Sequence, residues 1–197
     1  MGAQSKNWRN FLWISRLTVG KGLRLVGLSR LALIAVPCGK SVPIPDDDRL
    51  WRRFIDSKAY WTWDDDQKRW IPNRHYLKFD PELSVFWNRH IALHGLGPES
   101  VLGGDPRFTV VGELDVGNLR KNFDVGDLKD LSFPVGHSPN DLSEIGCAHC
   151  SVYWPPTAIL EGAVVPAKNY QKLLQTEIAR RFSWVHGSPS RERPDGS

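Results

Sequence analysis

From residue 46 onward, apolar and polar residues alternate in short runs broken by Pro, Gly and Asp, and each run predicts an element of a small domain. Asp46-Asp47-Asp48 stands before Leu50, Trp51, Phe54 and Ile55, which are apolar at i, i+1, i+4 and i+5. Acids at the positive end of a helix dipole, followed by that spacing, predict a short helix ending near Ser57. Residues 60–70 (YWTWDDDQKRW) alternate aromatic and polar side chains about an Asp-rich turn. They predict a hairpin with Trp61, Trp63 and Trp70 flanking the turn, and residues 74–79 extending the pairing. Leu83–Trp87 (LSVFW) and 108–112 (FTVVG) are compact β-branched and aromatic runs, read as strands. Between them, Pro98–Leu102 predicts a helical turn closed by Gly103-Gly104.

Asp115 is placed to cap a short helix that turns Val116, Leu119 and Phe123 inward. Residues 131–135 predict a strand, and Pro139-Asn140-Asp141 a turn. Residues 148–154 (AHCSVYW) predict the last strand, stopped by Pro155-Pro156, which cannot donate to a ladder. Pro166 opens the longest helix, 167–185, with Tyr170, Leu173, Leu174, Ile178, Phe182 and Val185 on one face and Lys168, Lys172, Arg180 and Arg181 opposite. Gly187 ends it. Helices and strands mixed without regular βαβ alternation predict an α+β fold: a small single domain with a mainly antiparallel sheet and a C-terminal amphipathic helix.

Charge changes the view of which residues make that domain. Residues 1–45 hold seven Lys/Arg and no acid; beyond them 19 basic residues meet 22 acidic ones, a net of −3, so the overall +4 belongs to the N-terminal segment. The expected organisation is a basic leader over 1–42, an α+β domain over 43–187, and a disordered polar tail over 188–197. The leader is weakly amphipathic over 7–36. Its apolar stretch 25–36 is too short to span a bilayer and carries Arg30 near its middle. An organelle transit peptide, an interfacial membrane anchor and upstream sequence read through a mis-assigned start all fit it. A secretory signal fits less well, because Arg30 interrupts its apolar region and Pro37 precedes Cys38. The body is therefore expected to be soluble and cytoplasmic with no transmembrane span. It would be organelle-targeted if the leader is genuine, with peripheral membrane contact through the leader alone. A mildly acidic body favours a protein partner over nucleic acid. Three cysteines are too few for a disulfide scaffold, and a reducing compartment is the default.

The densest polar cluster is 137–150 (HSPNDLSEIGCAHC). Cys147 and Cys150 have the C-x2-C spacing of a zinc knuckle, and His137 would be a third ligand. No second knuckle exists, so the two cysteines fit equally as small hydrophobes at the edge of a strand. No other cofactor is expected. The same segment admits a catalytic site built on His149 as acid or base, with His137 and Asp141 beside it and Asp141 or Glu144 orienting the ring. If Cys150 and Val152 face the core, strand alternation sets His149, Ser151 and Tyr153 on a shared polar face. His90 and His94 have metal-ligand spacing but lack the zincin glutamate. Trp61, Trp63 and Arg53 are a candidate binding surface, since Trp and Arg anchor interfaces; Asp64, Asp65 and Asp66 at the hairpin tip would repel phosphate. Walker A, dinucleotide G-x-G-x-x-G, G-x-S-x-G, H-E-x-x-H and EF-hand motifs are all missing from the chain. The expectation is a non-catalytic interaction or accessory module that binds another macromolecule. The alternative is a small hydrolase or transferase with a His/Asp/Cys site around 137–150, zinc-dependent if the knuckle is loaded.

Overall fold

The computed structural model describes residues 40–140 and 143–189, all within the compact unit Val36–Ser197. The expectations for the leader up to residue 39, for Asp141 and for the tail from residue 190 lie outside the described residues. Packing begins slightly ahead of the expected boundary at 43: Ser41 Oγ donates to the His137 carbonyl at 2.5 Å, and Ile44 is buried.

The first apolar run is not a helix. It is strand β1 (Arg49–Ile55), whose neighbours Leu50 and Trp51 are both buried. Apolar residues at i, i+1, i+4 and i+5 suit a strand packed on both faces as well as a helix, and long-range pairing decides between them. β1 is central, paired antiparallel with β4 (Leu83–Trp87) and β5 (Phe108–Asp115). The acid expected to cap a helix, Asp48, is buried and accepts Trp87 Nε1 at 2.8 Å.

The domain is α+β. Six antiparallel strands run in the order β10-β5-β1-β4-β9-β8, with β8 (Val135–His137), β9 (His149–Val152) and β10 (Ser183–His186) completing the sheet. Two hairpins stand apart from it, β2 (Trp61–Asp64) with β3 (Arg69–Pro72), and β6 (Phe123–Val125) with β7 (Leu128–Leu131). The helices are α1 (Asn88–Leu93), α2 (Val116–Arg120), α3 (Glu144–Cys147) and α4 (Lys168–Arg180). Asp115 caps α2 as expected, its Oδ1 accepting Asn118 N–H at 2.6 Å.

Other boundaries differ from expectation. Residues 74–76 form a helical turn capped by Asn73 and do not extend the hairpin. The expected strand at 131–135 is split between β7 and β8, on either side of Pro134. Helix α4 stops at Arg180, and residues 183–186 return to pair with β5, Trp184 opposite Gly112. Gly112 permits this: a Cβ there would lie 2.8 Å from the Phe54 and Phe182 rings and 3.0 Å from Trp184. Phe182 then meets Phe54 edge-on at 5.1 Å, and Trp61 meets Trp184 at 5.0 Å.

Cross-strand partners share a face, so the register sorts the sheet. Leu50, Trp87, Val85, Cys150, His137 and Leu114 share one face. Trp51, Arg53, Phe86, Ser84, His149, Ser151 and Val111 share the other, whose apolar part is the Trp51, Ile91, Val101, Val111 and Ala148 cluster.

Candidate functional site

β1 and β4 pair at two positions, Leu50 with Trp87 and Trp51 with Phe86, and then separate. Continued, the register would set Arg53 opposite Ser84. Instead a cleft of about 260 Å³ opens there, lined by Arg52, Arg53, Ser84, Phe86 and Phe108. A side chain crosses where the ladder stops: Arg52 Nη1 donates to the Ser84 carbonyl.

His149 lies behind Ser84, opposite Phe86 on β9. Its Nε2 is 2.7 Å from Ser84 Oγ, and its Nδ1 is 2.7 Å from the Ser138 carbonyl. A carbonyl only accepts, so Nδ1 carries a proton, and in the neutral ring Nε2 presents a lone pair to the Ser84 hydroxyl. Ser138 Oγ stands 3.1 Å from Nδ1 and 2.6 Å from Ser151 Oγ, which closes the inner side of the network. The ring is 8% exposed and meets Phe86 edge-on at 6.0 Å, so its rotation is restricted. This arrangement is a hydroxyl, a base and an orienting acceptor in sequence, with a carbonyl where a carboxylate often stands.

The expected cluster divides across the sheet. His149 and Ser151 share a face as the alternation requires, but His137 pairs with Cys150 on the opposite face. There His137 Nε2 donates to the Cys147 carbonyl at 2.6 Å, and its Nδ1 is buried without a partner. His137 and His149 therefore do not form one catalytic group. Cys147 is held in a disulfide, which a reducing compartment would not favour, and its sulfur is not a free thiolate. Cys150 is free and fully buried; burial pushes its thiol pKa up, so it stays protonated. Among the described residues no three His, Cys, Asp or Glu side chains come together in a group that could hold a metal ion. His90 and His94 do share a helical face, with rings 5.3 Å apart, and His137 lies 6.0 Å from His90.

The residues expected to form a binding surface are also separated. Trp61 is core, packed on Phe54 and Trp184. Trp63 is half-buried against Trp70 on the hairpin. Arg53 lines the cleft and lies 4.3 Å over the Phe108 ring. The acidic hairpin tip holds the hairpin to α4: Arg180 bonds Asp64 at 2.6 Å and Asp66 at 2.7 Å. Burial alone would raise the Asp64 pKa, but the Gln67 N–H, Arg180 and the Asp66 N–H together hold it below the ordinary range.

Ser84, Ser138 and Arg52 were not indicated by any motif. Parity within LSVFW places Ser84 on one face with Phe86, but only the β4–β9 register brings His149 to it. Among the described residues no helix is long and apolar enough to cross a membrane. No family model matches the chain, and no curated protein or solved structure matches it either.

Proposed function

We propose that the chain is a small hydrolase or acyltransferase in which Ser84 is the nucleophile and His149 its general base. The observation that carries this is the Ser84 Oγ–His149 Nε2 distance of 2.7 Å with Nδ1 fixed on the Ser138 carbonyl. His149 takes the hydroxyl proton as Ser84 Oγ adds to an ester or amide carbonyl carbon. The resulting imidazolium returns that proton to the leaving group as the carbon–heteroatom bond breaks, leaving an acylated Ser84. Water or another acceptor, deprotonated by His149, then adds to the acyl carbon, and Ser84 Oγ departs as the acyl–oxygen bond breaks, taking that proton back from His149. The positive field of Arg52 and Arg53 favours the charge that develops on the carbonyl oxygen.

Hydrolysis of p-nitrophenyl acetate by the full chain tests the reading. Ser84→Ala and His149→Ala should each lower kcat/KM by ~10³-fold or more, the scale seen when members of such a group are removed. Wild-type turnover in Ser84→Ala would sink it. A second reading, a non-catalytic module that holds another macromolecule, is favoured by one feature, a groove of about 460 Å³ between the hairpin and α4 lined by Trp63, Thr62 and Arg180. It calls for a partner protein whose binding is lost on Trp63→Ala while Ser84→Ala has no effect.

A further inference from the structure

We infer that the cleft beside Ser84 recognises an oxyanion on the substrate, a carboxylate or a phosphate group, through Arg52 and Arg53. As a statement about substrate it rests on the Ser84–His149 reading; as a statement about binding it does not.

The reason is an uncompensated pair of guanidiniums. Neither Arg52 nor Arg53 has an ion pair among the described residues. Among the described residues the Arg52 guanidinium makes one hydrogen bond, to the Ser84 carbonyl, and its Nε is buried without a partner. Arg53 makes one, Nη1 to the Leu102 carbonyl at 3.3 Å, and stacks on Phe108. Burial, and secondarily the charge of Arg53, pushes the Arg52 pKa down to about 10. The acid that feels Arg53, Asp105, is already taken by Arg107 through Nε and Nη2 at 2.7–3.1 Å. A guanidinium withdrawn from water without a carboxylate is costly, and a ligand anion removes that cost when it binds. Asp48 and Arg180, by contrast, each have an opposite charge against them.

The surroundings preserve room for the pair. Gly103, at φ +69°, closes the turn against Arg53, and a Cβ there would lie 2.6 Å from Arg53 Nη1. Phe86 and Phe108 supply apolar walls, and the volume of about 260 Å³ is below that of ordinary ligand pockets, so the cleft takes a small acid or the acidic end of a larger molecule. A planar guanidinium matches the two oxygens of a carboxylate or a phosphate, and both are therefore named.

Two measurements on the full chain test this separately from catalysis. The first is a calorimetric titration with succinate and with inorganic phosphate at constant ionic strength. Wild type and Ser84→Ala should bind one of them saturably, and Arg53→Gln should bind it at least ~10-fold more weakly. Arg53 is the variant of choice because Arg52 bridges two strands and its loss risks the fold. Equal binding by wild type and Arg53→Gln overturns the inference. The second compares mono-p-nitrophenyl succinate with p-nitrophenyl butyrate. Wild type should prefer the anionic ester by ~10-fold or more in kcat/KM, through KM, and Arg53→Gln should lose that preference. Binding without turnover of either ester keeps the anion site and removes the catalytic reading. Turnover without preference for the anionic ester does the reverse.

Discussion

His137 and His149 stand on neighbouring antiparallel strands, both buried, each with one ring nitrogen on a backbone carbonyl. They differ in what the other nitrogen meets. His149 Nε2 meets the Ser84 hydroxyl at 2.7 Å beside an open cleft. His137 Nδ1 meets nothing, on the face that carries Trp87, Val85 and Cys150. A carbonyl fixes the tautomer in both cases, and only the face of the sheet separates a residue that can accept a proton from a hydroxyl from one that braces the core. The chemistry is decided by register.

Breaking one side at a time should give opposite signatures. The largest effect falls on the cleft: His149→Ala loses ~10³-fold or more in esterase kcat/KM, while His137→Ala stays within ~3-fold of wild type once corrected for folded fraction. Next comes the core face. Leu83→Ala, adjacent to Ser84 in sequence but pointing the other way and fully buried, should cost about 2–5 kcal/mol in urea unfolding and leave kcat/KM unchanged. His137→Ala should cost less, about 1–3 kcal/mol, because it leaves the Cys147 carbonyl without its donor.

The smallest effect is a pH dependence on the His137 side. Burial, then the neighbouring His94 and His137, lower the His90 pKa. Between its unfolded value of about 6.5 and the lower folded value, the unfolded chain binds more protons. Its contribution to stability is therefore present above about pH 6.5 and lost as pH falls towards the folded pKa. Urea midpoints at two pH values on either side of that window should show the drop, and His90→Leu should reduce it. An undiminished drop in His90→Leu would assign the pH dependence elsewhere.

Much of this frame could be read from residue order. Trp61 to Trp70 alternates about an acidic turn and is the β2–β3 hairpin; Leu83–Trp87 is a strand and Asp115 a cap. Parity alone placed His149 with Ser151, away from Cys150. Local pattern failed where distant residues decide. The 49–55 run fits a helix and a doubly buried strand equally, and two partner strands settle it. The apolar period of α4 runs on through Phe182 and Val185, yet the chain turns back there to pack against a missing Cβ at Gly112. Ser84 and His149 lie 65 positions apart, and no spacing rule joins them. The dense 137–150 segment drew attention for its composition, but His137 and Cys150 stand on one face of the sheet and His149 on the other.

The most direct test of the central claim is covalent labelling of the folded full chain with diisopropyl fluorophosphate, located by peptide mass spectrometry. Ser84 Oγ should displace fluoride from phosphorus, with His149 taking the proton, so that Ser84 carries the adduct in wild type and in His137→Ala. Labelling should slow by ~10²-fold or more in His149→Ala, the scale of a lost general base. An unlabelled Ser84 in the wild-type protein, or equal rates with and without His149, would contradict the account.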